Sequence, residues 1–291
     1  MNNLIYFYLL SPLHTGGTSQ EGNVLGIARE SHTDYPYIPS SSIRGRIRAS
    51  CSDRITRTKL FGPDLKDLKD THFLDQYQLA TDRTLTQLEQ GNLWIGDASL
   101  LWIPVPSLSH GVIWISCPML LQRWARLTHC QAPIPPAYSA NPALHQSNNP
   151  IYLKDAILGV DRLQPWSDTN AFVPISDPQI KLDRCLVLPD SHCKTLIQMS
   201  LWRQVKVKLT EHKSVEGGSF RYEEAIPPDT LMYFPWGTVT EARTGESYDR
   251  DFIHILESPD LDHILQIGGQ EGLGRGFVQF WLSQSRSTVS A

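Results

Sequence analysis

The order of strand-like and helix-like segments constrains the fold of this sequence more than any other feature. Residues 4–10 form a run of large aliphatic and aromatic side chains, which is typical of a buried strand. A proline and three serines then predict a helix from about Ser41 to Leu60, with Ser40 or Ser41 as its N-cap. Later strands are grouped and do not alternate regularly with helices. This order favours an α+β fold with ferredoxin-like β-α-β-β units at its centre.

The remaining elements are predicted from hydrophobic periodicity and from glycine and proline breaks. Strands are expected at 93–95, 100–105, 112–115, 205–209, 220–222 and 231–234, and helices at 119–127, 190–202 and 248–256. Glu216-Gly217-Gly218 predicts the turn of a hairpin. Two polar segments, about 62–92 and 131–180, are interpreted as insertions into a single domain that spans 1–291.

Charge and cysteine content exclude several classes of protein. The formal net charge is -4, which argues against a protein that coats nucleic acid non-specifically. Residues 44–59 nevertheless hold five arginines and one lysine against one aspartate, so any nucleic acid would be bound at a defined site. The five cysteines include no C-x-x-C pair, which favours a reducing, cytoplasmic setting. His-Cys pairs at 129–130 and 192–193 lack the spacing of a zinc site, and we expect no metal site there.

No segment has the pattern of a signal peptide or a membrane span. The N-terminus lacks a basic region before its apolar run. The longest later apolar run, near 111–121, is too short to cross a bilayer and contains Pro118. We therefore expect a soluble, cytoplasmic protein that does not associate with membranes.

The start of the first predicted helix has the chemistry of an anion site. Backbone N–H groups at a helix start point towards whatever lies in front of it, and nearby arginines add positive charge. The residues concerned are Ser40, Ser41, Ser42, Arg44, Arg46 and Arg48. The alternative is a solvated helix face on which Arg44 and Arg48 are neighbours at i and i+4.

A glycine-dense segment near the C-terminus is a second candidate anion site. It comprises Gly268, Gly269, Gly272, Gly274, Arg275 and Gly276. Glycines let backbone N–H groups approach phosphate oxygens closely. The segment is followed by β-prone residues and not by the helix of a Rossmann motif, and it lacks the Gly-Lys-Ser/Thr of a P-loop. The alternative is a tight hairpin without a ligand.

Four groups of residues occur in an order that is more specific than any one of them. They are 10–17, 29–48, 96–107 with 117–123, and 222–227 with 268–276. Together they resemble the RAMP superfamily of CRISPR proteins, most closely the repeated backbone subunit of the type III-B (Cmr) interference complex. The stretch from Pro36 to Arg48 is similar to the family's proline–serine–glycine–arginine motif. The resemblance covers nearly the whole chain and is loose over 131–180.

The resemblance implies an RRM-like palm that binds guide RNA (crRNA), with copies of the chain stacked along it as a filament. A β-hairpin thumb, expected within 60–95 or 131–180, would splay bases of the guide–target duplex. Base pairing would read the RNA sequence, as in other guided systems. The implied partners are complementary target RNA, further copies of the chain, and a polymerase-like large subunit, a small subunit and cap subunits. The implied RNA contacts are His14, Ser40, Ser41, Ser42, Arg44, Arg46, Arg48, Gly268, Gly269, Gly272, Gly274 and Arg275.

The catalytic residue that the resemblance implies is missing. In the family, an aspartate in the loop after the first strand helps the target's 2′-OH attack the adjacent phosphate. The stretch from Gly22 to Glu30 contains no aspartate here: the position falls on Val24, beside Asn23, or is lost altogether. Valine cannot bind a metal or polarise a hydroxyl, and asparagine does so poorly. Glu21 and Asp34 are the nearest acids that can substitute, and His14 matches a family histidine near the cut site.

We therefore predict a subunit that binds guide and target and cuts target weakly or not at all. A divalent metal such as Mg²⁺ is implied only if cutting occurs. Three alternatives remain: an active target-RNA endoribonuclease that uses Glu21 or another nearby acid, a crRNA-processing RAMP endoribonuclease, and an unrelated β-rich enzyme or interaction module. In the last, residues 40–48 merely cap a helix.

Overall fold

A computed structural model describes residues 3–21, 24–147, 149–154, 156–208, 210–215, 220–239, 248–259 and 261–283. The strands are β1 (Asn3–Leu9), β2 (Gly16–Glu21), β3 (Val24–Ile27), β4 (Leu93–Ile95), β5 (Ser99–Ser107), β6 (Gly111–Ser116), β7 (Ser139–Ala140), β8 (Ile151–Leu153), β9 (Ala156–Leu158), β10 (Gln164–Pro165), β11 (Cys185–Val187), β12 (Trp202–Lys206), β13 (Arg221–Ala225), β14 (Leu231–Thr238), β15 (Ile264–Gln266) and β16 (Phe277–Leu282). The helices are α1 (Ser40–Ser50), α2 (Arg54–Phe61), α3 (Thr71–Thr81), α4 (Pro118–Thr128), α5 (Pro142–His145), α6 (Asp190–Ser200) and α7 (Asp249–Leu256).

The strands form one large mixed sheet and one small sheet. The large sheet follows the order β10-β7-β11-β6-β5-β14-β1-β16-β15, and the small one β12-β13-β3-β2. β1 is antiparallel to both of its neighbours, β14 and β16. Every residue of β1 after Asn3 is buried, which explains why its sequence is a continuous apolar run. The predicted buried strand and α+β class are confirmed.

One face of β1, formed by Ile5, Phe7 and Leu9, packs in the larger hydrophobic core. Ile5, Phe7 and Leu9 belong to a buried cluster that also contains Ile43 and Ile47 of α1. Side chains four residues apart lie on the same face of a helix, so this spacing turns one side of α1 towards the sheet. The charged residues of α1 consequently lie off that face.

The opposite face of β1 packs against α4 and the second predicted insertion. Tyr6 and Trp124 share a buried cluster with Trp102, Trp166 and Phe172. Trp102 Nε1 donates to the backbone oxygen of Phe172 at 2.9 Å. Aromatic side chains of the insertion thus cover one face of the large sheet, even though this segment has little regular periodicity in sequence.

The first predicted insertion has a small core of its own. Phe73 and Tyr77 of α3 form a buried cluster with Leu85. Arg54 Nε lies 2.7 Å from Oδ1 of buried Asp67, which joins α2 to the insertion. This segment therefore contains a helix, α3, and an ion pair anchors it to α2.

The predicted helix from Ser41 to Leu60 is wrong because it is two helices. Asp53 is extended and accepts hydrogen bonds from the N–H groups of Ile55 and Thr56, which caps the start of α2. The predicted serine N-cap is also wrong, because α1 begins at Ser40 after Pro39 and no side chain of the N-cap residue accepts a hydrogen bond. An aspartate that competes for backbone N–H groups explains the break.

The other predicted elements are confirmed with shifts at their ends, except that the strand expected at 205–209 is β12, which ends at Lys206. β12 pairs with β13, as the predicted hairpin requires. The turn predicted at Glu216-Gly217-Gly218 lies outside the described residues. All five cysteines are unpaired thiols. Within the described residues, we find no helix with the length and apolar character of a membrane span.

Candidate RNA-binding surface

The start of α1 already holds an anionic group of the protein. The backbone N–H of Ser40 donates to Asp97 Oδ1 at 2.6 Å. A carboxylate in this place satisfies an N–H group that has no partner within the helix and is stabilised by the helix dipole. Ser41 is exposed and Ser42 is half-buried. A phosphate bound at the start of α1 would therefore share this position with the Asp97 carboxylate. Contacts between the three serines and RNA stay a prediction.

The arginines of α1 join this helix to the end of α2. Arg44 donates through Nη1 to the Leu93 oxygen at 2.7 Å and through Nη2 to the Phe61 oxygen at 3.0 Å. Arg48 Nη1 donates to the same Phe61 oxygen at 3.4 Å. The Phe61 carbonyl ends α2 and needs donors from outside the helix. The solvated-face alternative is therefore wrong for Arg44, and RNA contacts of Arg44, Arg46 and Arg48 stay a prediction.

His14 and the glycine segment lie together, although they come from opposite ends of the chain. The Gly269 N–H donates to the His14 oxygen at 2.8 Å, and the Gly276 N–H donates to the Pro12 oxygen at 3.0 Å. His14 is 5% exposed, and its Nδ1 lies 2.8 Å from the backbone oxygen of Glu224. The structure thus unites two of the predicted RNA-binding parts.

The glycine segment is the loop of the β15–β16 hairpin, as the alternative interpretation proposed. A Cβ on Gly268 would lie 2.4 Å from the His14 oxygen, and one on Gly276 would lie 1.9 Å from the Ile267 oxygen. Gly268, Gly274 and Gly276 have positive φ. Close backbone packing within the protein accounts for Gly268 and Gly276, whereas Gly272 has open space around it.

Arg275 links this loop to the small sheet. Its side chain is 5% exposed, with Nη1 3.1 Å from Glu223 Oε2 and Nη2 donating to Gln204 Oε1 at 2.9 Å. The guanidinium lies 4.5 Å from the ring centroid of Trp202, which adds a cation–π contact. Arg275 is thus held inside the protein. Its contact with RNA stays a prediction.

Sequence reasoning assigned no role to Glu223 and Glu224. Both are buried, and they hold four cationic side chains from three segments of the chain. Burial raises the pKa of Glu223, but Lys206 and Arg275 outweigh it and leave the pKa below its ordinary value. Nothing in the neighbouring sequence distinguishes these two consecutive acids from ordinary strand residues, so the sequence alone could not show that they hold cations.

The two acids proposed as catalytic substitutes lie in different elements, Glu21 at the end of β2 and Asp34 in a turn. β2 and β3 pair through Glu21 and Val24, and β3 runs parallel to β13 with Val24 opposite Tyr222. Asn23 lies outside the described residues. The backbone of Asp34 has φ 67° and its N–H donates to the Glu30 oxygen at 2.8 Å, which makes it part of a turn. Over the described ranges, no three His, Cys, Asp or Glu side chains come together as metal ligands.

Glu30 and Arg123 form a two-point ion pair between the loop before α1 and α4. Arg123 Nη1 lies 2.5 Å from Glu30 Oε1, and Nη2 lies 3.2 Å from Oε2. Thr33 Oγ1 donates to Oε2 at 2.5 Å. Such bidentate pairs are strong and directional, so this one secures the chain segment that leads to α1.

We expect this ion pair to make stability depend on acid pH. Burial raises the pKa of Glu30, but the bonds from Arg123 and Thr33 outweigh it and hold the pKa below its ordinary 4.5. The stabilisation is therefore present above the unfolded pKa and is lost as pH falls through the lower folded value. Urea unfolding at decreasing pH should show a fall in the free energy of unfolding below about pH 4.5 that is shallower in Glu30→Gln. Identical pH profiles for both proteins would contradict this.

Comparisons with known proteins agree with this architecture. Residues 6–279 match the RAMP superfamily model. The chain is 27% identical over 303 residues to the CRISPR system Cmr endoribonuclease Cmr4 of Pyrococcus furiosus, covering 97% of this chain and 95% of that protein. The fold is similar to oligomeric Cmr4 from Pyrococcus furiosus, with a TM-score of 0.66, 23% identity and coverage of 98% and 99%. It is also similar to a chain in type III-B Cmr-beta bound to cognate target RNA, with a TM-score of 0.70, 18% identity and coverage of 98% of each chain. The chain therefore belongs to the RAMP superfamily.

Proposed function

We propose that this chain is a crRNA-binding backbone subunit of a type III-B CRISPR effector complex. It stacks with further copies along the guide and positions complementary target RNA. The observation that carries the proposal is the end-to-end match with Cmr4, which spans 97% of this chain and 95% of the relative. The joining of His14 to the glycine loop supports it, because both belong to the residues that the family resemblance links to RNA. The other partners are the remaining effector subunits.

The β12–β13 hairpin is our candidate for the thumb. Val205, Phe220 and Tyr222 are 48%, 47% and 45% exposed on or beside it, and Arg203 adds a cation. Exposed aromatic rings and cations suit contact with unstacked bases and phosphates. The segments 60–95 and 131–180 suit it less, because each contributes large side chains to a buried cluster.

We infer that the subunit cuts target RNA weakly or not at all. Val24 occupies the position of the family aspartate, and Asp34 belongs to a turn. The test is to assemble the full complex with crRNA and a complementary labelled RNA. We expect the target to be bound and not cleaved at regular spacing, because Val24 has no carboxylate with which to help the 2′-OH attack.

If the target RNA is cleaved, a matched pair of variants tests whether Glu21 of this subunit is responsible. Efficient, regularly spaced cleavage that is lost in Glu21→Ala and kept in Asp75→Ala, an exposed acid on α3, would overturn the inactive subunit. Cleavage unaffected by both variants would exclude Glu21 as the group that supports it. A chain that purifies as a monomer and cuts a repeat hairpin would instead support the crRNA-processing alternative.

A further inference from the structure

A cavity of about 430 Å³ lies on the face of the large sheet that is opposite α1. It is bounded by the start of β1, the end of α4, residues 170–176 and the end of β16. Pockets that bind small molecules typically have volumes of about 300–1,000 Å³. None of the lining residues belongs to the candidate RNA-binding surface. The cavity is therefore a separate feature of the molecule.

Three aromatic side chains form the inner part of this cavity. Tyr6 and Trp124 are buried, and Trp281 is half-buried. The rings of Tyr6 and Trp281 are stacked, with centroids 5.8 Å apart and an angle of 24° between their planes. Aromatic walls bind another aromatic ring through stacked or edge-to-face contacts. The inner part thus favours an aromatic ligand.

Hydrogen bonds hold these aromatic walls in place. Trp281 Nε1 donates to the backbone oxygen of Pro174 at 3.0 Å, which joins β16 to the segment that closes one side of the cavity. Trp124 Nε1 donates to the Tyr6 hydroxyl at 3.1 Å. A ligand would therefore enter a site that is already formed, and its binding would order few further side chains.

The Tyr6 hydroxyl is a buried donor that still lacks an acceptor. Burial raises the pKa of Tyr6 to about 12, so the hydroxyl keeps its proton at neutral pH. Tyr6 is 3% exposed. Among the hydrogen bonds of the described residues, the hydroxyl accepts one from Trp124 and donates none. Because a buried donor without a partner is destabilising, an acceptor atom on a ligand would be favoured here.

The side chains around the cavity favour a ligand without formal charge. Among the described residues that line it, none is Asp, Glu, Lys or Arg. The exposed lining residues are polar: His129, Asn170 and Ser176. A charged ligand would lose its hydration inside the cavity without meeting an opposite charge. An uncharged ring with a polar end towards solvent avoids this cost.

We propose that this cavity is a binding site for a small, uncharged heteroaromatic molecule of one or two rings. The ring packs against Trp124 and Trp281, and an acceptor atom of the ring accepts a hydrogen bond from the Tyr6 hydroxyl. The inference goes beyond the proposed function, because the site needs neither guide nor target RNA.

One cysteine allows occupancy of the cavity to be measured directly. Cys130 lines the cavity and is half-buried, whereas the other four cysteines are buried. The experiment treats the full-length chain with iodoacetamide, with and without quinoline, and follows the alkylation of Cys130 by mass spectrometry. We expect quinoline to slow this reaction severalfold, because it covers the thiol. Glutathione in the same solution is the control for a direct effect of quinoline on the reagent.

Two variants locate the bound quinoline. Ala171→Phe adds a phenyl ring to the lining and should abolish the protection of Cys130, whereas Ala80→Phe, at an exposed position of α3, should preserve it. Tyr6→Phe keeps the ring and removes the donor. It should weaken quinoline binding about fivefold, the effect of one hydrogen bond. Binding of naphthalene, which has the same shape and no acceptor, should change little.

The outcomes that would overturn the site are distinct. Equal alkylation of Cys130 with and without quinoline, or protection that persists in Ala171→Phe, would contradict binding in the cavity. Equal effects of Tyr6→Phe on quinoline and naphthalene would contradict the hydrogen bond and thus the proposed ligand class. If thermal melting shows that Ala171→Phe does not fold, the comparison of the two compounds in wild type and Tyr6→Phe decides the question. All these measurements are made without RNA, so their failure leaves the proposed function intact.

Discussion

Gly276→Ala should strongly destabilise this protein. Gly276 has φ +82°, a conformation that L side chains rarely adopt, and an added Cβ would lie 1.9 Å from the Ile267 oxygen. That contact is with backbone. Moving it away would break the hydrogen bond from the Ile267 N–H to the Gly276 oxygen, which is 2.8 Å long. Strain and lost pairing together should cost about 3 kcal/mol or more.

The matched control is Gly272→Ala in the same loop. A Cβ there meets nothing within 4 Å, and its φ is not in the left-handed range. Alanine should therefore be tolerated, with a change in the free energy of unfolding of about 1 kcal/mol or less. Urea and thermal unfolding of both variants measure the difference. Equal stability of the two would show that the loop is not packed as described.

Phe7→Ala should strongly destabilise the hydrophobic core. Phe7 is 0% exposed and lies opposite Met232 and Phe280 in the neighbouring strands. Its ring centroid is 4.9 Å from that of Phe234. Removing a buried phenyl ring loses its transfer free energy and leaves a cavity, at a cost of about 3–5 kcal/mol. Because β1 leads directly to His14, the variant should also lower the fraction of protein able to bind RNA.

The control for Phe7→Ala is Leu79→Ala on α3. Leu79 is 90% exposed, so its replacement should change the free energy of unfolding by about 0.5 kcal/mol or less. Denaturant unfolding of the two variants gives the comparison. A similar loss of stability in both would mean that β1 is not the centre of the core.

Local patterns predicted the longer strands and helices and missed the short strands β2, β3 and β7–β11. The run at 4–10 became β1, and the apolar spacing at 119–127 became α4, because both depend on hydrophobic periodicity within one segment. The break between α1 and α2 was missed. There Asp53 competes for the backbone N–H groups of the next turn, and a periodic pattern does not show this.

The sequence by itself determined the fold class, the family resemblance and the absence of an aspartate beside Val24. Only the tertiary structure decided what the polar side chains do. Arg44 caps α2 through Phe61, and Arg275 is buried against Glu223. The physical reason is that periodicity depends on near neighbours, whereas hydrogen-bonding and ionic partners come from segments that only folding brings together.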